Sequence, residues 1–334
     1  MKKILYAAIT LAFIACGSGK DATKTADENV DQAAKYASTI TAKDLGTHLF
    51  IYASDEFEGR NTGEPGQKKA VEYLKNFYVT EGIASGLGGD DYFQEVPAAW
   101  LNKNSRRGGL KSSENVLAFI KGSEKPDEVV VISAHLDHEG IKNGEVYNGA
   151  DDDGSGTVAL LEIAQAFQEA KNDGHSPIRS ILFLHVTGEE HGLYGSKFYT
   201  ENPLFPLANT ISDVNIDMIG RRDEFHLKSN DYIYLIGSNF LSNDLYNVCE
   251  EVNKKYINMK LDYKYNSKND PNRFYYRSDH YNFAKHNIPS VFLFNGVHDD
   301  YHQATDEIDK IEFDALQRRT QLAFVIAWEL ANRE

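Results

Sequence analysis

The stretch that decides the fold is residues 129–156, VVVISAHLDHEGIKNGEVYNGADDDGSG. It opens with a β-branched run, residues 129–134, that is typical of a strand buried in a sheet. A loop rich in glycine and acidic residues follows, and over residues 154–170 apolar side chains recur at helical spacing. The stretch therefore predicts a strand, a polar loop and an amphipathic helix in succession, which is typical of an α/β fold.

Short apolar strands and helices continue to alternate on both sides of this stretch. Further strands are predicted over residues 115–120, 178–186, 211–216 and 288–294. Residues 41–83 are predicted to be largely helical around a glycine-rich loop, residues 84–109 to be loop-rich with an edge strand and turn, and residues 313–332 to form a long helix. Near-continuous apolar strands indicate a sheet that is covered on both faces. We therefore predict a single α/β domain over residues 41–334, with a mixed, mostly parallel central sheet and helices on both faces.

Imidazole and carboxylate side chains follow the predicted strands, at the points where the strands end. They are His135 and Asp137, the run Asp151-Asp152-Asp153, the pair Glu189-Glu190, Asp217 and His302. In sheets of this kind ligands bind beyond the carboxyl ends of the strands. Zinc binds His nitrogen and carboxylate oxygen, and two zinc ions can share one carboxylate. Each group also has an ordinary interpretation, such as Asp152 capping a helix or His135 sitting in the core, but five such positions at five element ends favour a metal centre.

Together these motifs resemble the zinc metallopeptidases that include bacterial leucyl aminopeptidases, aminopeptidase Y and glutamate carboxypeptidase II. The resemblance covers about residues 45–330 and rests on His135-x-Asp137, Asp152-Asp153-Gly154-Ser155-Gly156, Glu189-Glu190-x-Gly192-x-x-Gly195-Ser196, Asp217, Tyr301-His302 and the upstream Glu58-Gly59-Arg60-x-x-Gly63-x-x-Gly66. It implies the zinc-exopeptidase, or phosphorylase/hydrolase-like, fold. It also implies two zinc ions per chain, one held by His135 and Asp217, the other by Glu190 and His302, with Asp152 bridging them.

The resemblance also implies roles for residues that do not bind metal. Glu189 is expected to be the general base, which takes a proton from a water bridging the two zinc ions and later delivers it to the leaving amine. Asp137 is expected to accept a hydrogen bond from His135 and to fix its tautomer. Tyr301 is a candidate for stabilising the oxyanion, and His280 for touching substrate. The other histidines expected on the surface or behind the ligands are His138, His175, His191, His226, His286 and His298.

The implied activity is that of an exopeptidase acting on peptides, most directly an aminopeptidase, with a carboxypeptidase as the alternative within the family. A glutaminyl cyclase with one zinc on the same fold and a non-catalytic scaffold are further alternatives, and the complete set of five ligands argues against both. The sequence has no G-x-S-x-G motif, which argues against a serine hydrolase. Its formal net charge of −15 argues against nucleic-acid binding, which needs clustered Lys and Arg. The sequence gives no prediction of oligomeric state.

The first residues indicate export. Residues 1–16 combine two lysines, an apolar run too short to span a bilayer and a small residue before Cys16, and this pattern is typical of a lipoprotein signal peptide with an acylated Cys16. The alternative is cleavage near Ala15 without a lipid. Residues 17–40 are small and polar and are predicted to be a tether. An acylated Cys16 leaves only Cys249, so no disulfide is expected within the chain. We therefore predict a protein of the bacterial cell envelope, lipid-anchored or periplasmic, with the lipid as its only link to a membrane.

Overall fold

The structure, a computed structural model, describes residues 31–333. The predicted signal peptide, Cys16 and most of the predicted tether lie outside the described residues. One compact unit begins at Gln32 and includes the rest of the described chain. Among its helices, none combines the length and the apolar character needed to cross a membrane.

A nine-stranded mixed sheet forms the centre of the described chain. Its strands are β1 (Ala84–Ser85), β2 (Phe93–Val96), β3 (Ser113–Ile120), β4 (Lys125–His135), β7 (Arg179–Val186), β8 (Thr210–Ile216), β9 (Tyr232–Ile236), β10 (Lys260–Asp262) and β11 (Ser290–Phe294), while β5 (Gly140–Lys142) and β6 (Glu145–Tyr147) form a separate hairpin. The order is β1-β3-β7-β4-β8-β11-β9-β10, and β2 also pairs with β3. The central strands β7, β4, β8 and β11 are parallel, whereas β3 and β9 join them antiparallel. The predicted mixed α/β sheet is confirmed, with its parallel part at the centre.

Helices cover both faces of this sheet. They are α1 (Gln32–Ala37), α2 (Ala42–Tyr52), α3 (Pro65–Thr80), α4 (Ala98–Asn104), α5 (Gly156–Asn172), α6 (Tyr194–Glu201), α7 (Asn243–Val252), α8 (His280–Ala284) and α9 (Phe313–Asn332). Alternate residues of β4 divide between two cores, because successive side chains of a strand point to opposite faces. Val130 and Ile132 pack in the core that contains α5 and α9, and Val129 and Val131 pack in the core that contains Tyr199 of α6.

The central strands are apolar throughout because both of their faces are covered. All eight residues of β7 are buried, and so are all five of β11. The long helix α9 begins and ends where the sequence predicts, at Phe313 and Asn332. Because the four central strands run the same way, their carboxyl ends and the loops that follow them lie at one edge of the sheet.

The predicted tether, residues 17–40, extends too far into the chain. Residues Gln32–Ala37 form helix α1, and the ring of Tyr36 lies 5.7 Å from that of Trp328 in α9. Ile40 is also fully buried. A six-residue helix is too short to show a clear apolar period, yet one buried ring and a few small apolar residues hold it against a core that already exists.

The segment predicted to be loop-rich, residues 84–109, contains one helix as well as the edge strands β1 and β2. Helix α4 is held by Leu101, which is fully buried and packs with Val96 and Tyr194. The helix has only seven residues, so its contacts and not its own propensity fix it in place.

Candidate metal centre

The structure brings the five predicted ligands together at the carboxyl edge of the sheet. His135 ends β4, Asp152 lies in the turn before α5, and Glu190 follows β7. Asp217 follows β8, and His302 lies in the loop after β11. The parallel central strands therefore place five residues from separate parts of the chain side by side.

The first group consists of His135, Asp152 and Asp217. The Nε2 atom of His135 lies 3.1 Å from Oδ1 of Asp152 and 3.6 Å from Oδ1 of Asp217. One ligand atom from each residue lies within 4.8 Å of the other two, and all three residues are buried. Two ligands bound about 2.0 Å from one tetrahedral zinc would lie about 3.3 Å apart, so this spacing suits a zinc ion.

The second group forms around His302 on the other side of Asp152. Its Nε2 atom lies 3.1 Å from Oδ2 of Asp152 and 3.1 Å from Oε2 of Glu190. Asp152 thus directs one carboxylate oxygen to His135 and the other to His302. A carboxylate in this position could bridge two cations.

His138 also belongs to this second group, although the sequence predicts it on the surface or behind the ligands. The residue is fully buried, and its Nδ1 atom lies 2.7 Å from Oε1 of Glu190 and 3.9 Å from Oδ2 of Asp152. Glu139 lies at the edge of the same group, with Oε1 3.7 Å from Nδ1 of His302. The hairpin β5–β6 follows this short run, and the sequence signal for His138 was its place directly after Asp137.

The electrostatics of the two groups suit cations. Burial opposes protonation of His302, but the carboxylates of Asp152 and Glu190 prevail and raise its pKa to about 10. Burial and the charge of Asp152 oppose ionisation of Glu190, but the imidazoles of His138 and His302 lower its pKa to about 2. Oδ2 of Asp152 and Oε1 of Glu190 are both buried, and each faces an imidazole nitrogen, that of His302 at 3.1 Å and that of His138 at 2.7 Å, respectively. A donor set of imidazoles and ionised carboxylates fits zinc.

Asp137 does not make the contact that the sequence predicts for its carboxylate. The Nδ1 atom of His135 lies 3.0 Å from the main-chain carbonyl oxygen of Asp137. The carboxylate instead accepts hydrogen bonds from the hydroxyl of Thr62, at 2.7 Å, and from the main-chain N–H of Glu189, at 3.2 Å. The imidazole tautomer is therefore set by a peptide carbonyl, and Asp137 orients the backbone of Glu189.

Glu189 faces a recess beside the two ligand groups. Asp152, Asp217 and Tyr301 line the same recess. Burial raises the pKa of the Glu189 carboxyl well above its usual value, although the neighbouring His135 opposes this shift. A carboxyl with a raised pKa, set next to the ligands without belonging to either group, has the properties of a proton carrier.

The two candidate substrate contacts differ in position. Tyr301 lines the recess, and its hydroxyl accepts a hydrogen bond of 3.0 Å from the guanidinium of Arg277, which also lines it. His280 is fully buried, with its ring stacked 5.0 Å from that of Phe292, and burial lowers its pKa to about 3. His280 therefore packs behind the recess and does not line it, because its place in α8 directs the imidazole into the core.

Two buried carboxylates hold the backbone of the ligand loops, and the sequence predicts this role for neither of them. Asp153 accepts hydrogen bonds from the N–H groups of His135, at 3.1 Å, and Met218, at 3.0 Å. Asp306 accepts hydrogen bonds from the main-chain N–H groups of Asp152 and Asp151, at 3.1 Å each. Asp153 thereby links the end of β4 to the segment that follows β8. Asp306 links the loop of Asp152 to the loop of His302.

Two buried arginines hold loops near the centre in a similar way. The guanidinium of Arg60 donates to four main-chain carbonyl oxygens, those of Tyr52, Leu136, Asn148 and Gly149. Arg319 donates to the carbonyl oxygens of Ile219, Arg221, Asn230 and Tyr232. Both arginines are fully buried. Arg60 thereby fixes the start of the loop that carries Asp152, because Gly149 stands three positions before it.

Comparison with known proteins gives a consistent family relationship. A model of peptidase family M28 matches residues 115–327. The chain is 38% identical over 109 residues to a probable zinc metalloprotease of Pyricularia oryzae, and the aligned region covers 32% of this chain and 21% of that protein. It is 37% identical over 111 residues to aminopeptidase NAALADL1 of Rattus norvegicus, covering 33% of this chain and 14% of that protein. The chain thus spans only a small part of the length of these relatives.

Solved structures show the same fold over most of the chain. LapA of Legionella pneumophila superposes with a TM-score of 0.71 at 22% identity, covering 90% of this chain and 76% of that chain. An aminopeptidase from Aneurinibacillus sp. strain AM-1 superposes with a TM-score of 0.66 at 15% identity, covering 90% of this chain and 96% of that chain. The mixed sheet with its covering helices is therefore the fold of zinc aminopeptidases.

Proposed function

The chain belongs to peptidase family M28, and from this premise we propose that it is an exopeptidase of the aminopeptidase type that uses two zinc ions. It is a hydrolase and a metallopeptidase by its family. The two zinc ions, the cleavage of single residues from the amino end of peptides and the role of Glu189 are our proposals.

The observation that carries the proposal is the position of Asp152 between two groups of ligands. Its two carboxylate oxygens lie 3.1 Å from His135 and 3.1 Å from His302, respectively. A glutaminyl cyclase with one zinc would need only one of the two groups. The presence of all five ligand residues in contact also argues against a scaffold that has lost its metals.

The chemistry of the reaction follows from the residues around the recess. Zinc bound there would lower the pKa of the attacking water and polarise the carbonyl of the scissile bond. Glu189 takes a proton from that water and returns it to the leaving amine, which its raised pKa favours. Asp137 holds the main chain of Glu189 in place for this transfer. The hydroxyl of Tyr301, oriented by Arg277, is available to donate a hydrogen bond to the developing oxyanion.

The test combines zinc counting with a single substitution at the base. Chelated protein is titrated with zinc while its content is measured and aminoacyl-nitroanilide cleavage is followed. Activity that rises until two zinc ions are bound supports the proposal, and full binding at one zinc supports the cyclase. Glu189→Gln is expected to lower kcat by at least about a hundredfold while both zinc ions stay bound.

The matched control is Glu201→Gln, which changes an exposed glutamate of α6 whose carboxylate lies 3.9 Å from the Lys197 ammonium. We expect it to cleave the nitroanilides at the wild-type rate. Retained turnover in Glu189→Gln would refute the assigned base. Absence of turnover by the wild-type, zinc-loaded protein on a broad panel of aminoacyl substrates would refute the aminopeptidase assignment.

A carboxypeptidase is the second candidate, because Arg277 places a guanidinium in the recess. A carboxypeptidase must bind the terminal carboxylate of its substrate, and arginine does so with paired hydrogen bonds. Peptides blocked at one end distinguish the two activities. An aminopeptidase cleaves peptides with an amidated carboxyl end and fails on N-acetylated peptides, whereas a carboxypeptidase does the opposite.

We further propose that the protein is exported and attached to a membrane by a lipid on Cys16. The support is the sequence alone, namely the basic and apolar run of residues 1–16. Metabolic labelling with a radioactive fatty acid tests the proposal, with Cys16→Ala as the comparison. Label in the wild type that disappears in the variant supports it, and an unlabelled wild-type protein in the soluble fraction would refute the lipid.

A further inference from the structure

An open cleft with a volume of about 1000 Å³ lies next to the recess at the ligand groups. By the same measure the recess itself is far smaller, with a volume of about 30 Å³. The residues that line both cavities are Phe274, Arg277, Val297 and Tyr301. The cleft is therefore continuous with the place where the peptide bond would be cleaved.

Large apolar side chains are exposed along this cleft. Nine such side chains are exposed among residues 31–333, and three of them line it, namely Phe225 at 58% exposure, Leu227 at 71% and Val297 at 36%. Exposed apolar groups that gather beside a functional site mark a binding surface more often than isolated ones do. Burying side chains such as Phe225 and Leu227 under a partner would be favourable, because apolar surface would be removed from water.

The short turn that carries the first two of these residues is firmly anchored. Asp223, which is 1% exposed, accepts hydrogen bonds from the hydroxyl of Tyr234 at 2.6 Å and the N–H of Phe225 at 3.2 Å. The Nδ1 atom of His226 lies 2.8 Å from the same carboxylate. Phe225 and Leu227 thus project from a fixed backbone. Binding a partner would therefore cost little free energy for ordering this segment.

Some of the charged side chains of the cleft pair with one another. The guanidinium of Arg221 pairs with Asp300 at 2.9 Å, and that of Arg222 pairs with Glu312 at 2.7 Å. The Lys264 ammonium lies over the ring of Phe225. These contacts neutralise part of the charge beside Phe225 and Leu227.

We propose that this cleft binds the part of a peptide substrate beyond the cleaved bond, and that the enzyme acts on peptides of three or more residues with apolar side chains in that part. The proposal rests on the proposed aminopeptidase function. Because the cleft is much larger than the recess and continuous with it, substrate groups outside the recess have room to contribute to binding. Contacts remote from the reacting bond can increase kcat/KM when they are kept in the transition state.

The test compares substrates that share one amino-terminal residue, chosen as the best cleaved in the nitroanilide panel. One is the amino-acid amide, one a tetrapeptide with glycine at every later position, and one a tetrapeptide with phenylalanine and leucine after the first residue. We expect kcat/KM for the apolar tetrapeptide to exceed that for the glycine tetrapeptide by roughly tenfold or more. The double variant Phe225→Ser, Leu227→Ser is expected to lose most of this ratio.

The ratio of the two tetrapeptides is measured on one enzyme sample, so a smaller folded fraction in the variant does not change it. The matched control is Phe50→Ser, which removes a phenylalanine of 70% exposure that does not line the cleft, and it should keep the wild-type ratio. Equal kcat/KM for the amide and both tetrapeptides, or an unchanged ratio in the double variant, would overturn the inference while leaving the peptidase in place. Failure of the wild type to cleave any of the substrates would overturn the proposed function and the inference together.

Discussion

Replacing Arg60 with methionine tests how the loop of the bridging carboxylate is held. Methionine has a similar length but donates no hydrogen bond, so four buried carbonyl oxygens lose the guanidinium. Two of these oxygens, those of Leu136 and Gly149, each accept a second hydrogen bond from a group other than Arg60, at 2.9 Å and 3.1 Å, respectively. They therefore keep one partner in the variant. Those of Tyr52 and Asn148 lose the one given by Arg60, at 3.0 Å and 2.6 Å. A buried acceptor left unsatisfied costs about 1–3 kcal/mol, so we expect Arg60→Met to lower the free energy of unfolding by roughly 2–6 kcal/mol.

Urea unfolding of chelated protein measures this cost without a contribution from bound metal. Arg60→Lys should fall between the wild type and Arg60→Met, because an ammonium keeps the charge but cannot span four carbonyl groups. Zinc titration is the second measurement. We expect Arg60→Met to weaken zinc binding by about tenfold or more, as loss of a group behind metal ligands commonly does.

Lys69→Met is the matched control, because it also removes a cation that donates to a carbonyl of residues 55–60. The Lys69 ammonium is exposed and donates to the carbonyl oxygen of Glu56 at 2.8 Å and to the carboxylate of Glu58 at 3.0 Å. A contact of this exposed kind contributes less than about 1 kcal/mol. If Arg60→Met also changed the free energy of unfolding by less than about 1 kcal/mol and left zinc binding intact, the buried guanidinium would not hold the loop.

Four other substitutions test the centre and the core. Asp152→Asn is expected to weaken the binding of both zinc ions, whereas Asp217→Asn is expected to weaken the binding of one. Metal content after dialysis measures both effects. An equal loss of zinc in the two variants would argue against a bridging role for Asp152. Burial lowers the pKa of His185 from 6.5 to about 3, so between these pH values the unfolded chain binds a proton that the folded chain does not. Stability should therefore fall on acidification by about 1.4 kcal/mol per pH unit from this residue, and His185→Gln should show a correspondingly shallower pH dependence in urea unfolding. Phe167→Ala removes a fully buried ring and should lower the free energy of unfolding by about 3–5 kcal/mol, and a loss below about 1 kcal/mol would contradict the packing described.

The central strands and the long helix could be predicted closely because their sequence patterns are dictated by burial. The predicted strand 178–186 corresponds to Arg179–Val186, and the predicted strand 211–216 to Thr210–Ile216. Strands covered on both faces are apolar without interruption, and this pattern needs no knowledge of their partners. The short elements α1 and α4 were missed because they are fixed by contacts with residues distant in the sequence.

The meeting of the five predicted ligands could be foreseen for a different reason. Each follows or ends an element of a parallel sheet, and the topology of such sheets brings these ends together. The contacts of individual side chains could not be foreseen in the same way. His138 is buried beside Glu190, and Asp137 contacts the main chain of Glu189, because small differences in backbone direction decide where neighbouring side chains point.

The roles of Asp306 and Arg60 illustrate what a single sequence does not reveal. Both act on main-chain groups, which every residue carries, so no pattern of side chains marks their partners. Asp306 stands four positions after His302, and this proximity was the available hint. The proposed substrate cleft was equally hidden, since its walls come from residues 221–312, which belong to several loops.

The order of the strands has a consequence for when the enzyme can become active during its synthesis. The last strand of the described chain, β11, does not add to an edge but inserts between β8 and β9 in the interior of the sheet. His302 comes only after that strand. A nascent chain therefore cannot assemble its second ligand group until the sheet has closed around its final strand. Chains that end before His302 would lack the second ligand group and, with it, the proposed pair of zinc ions.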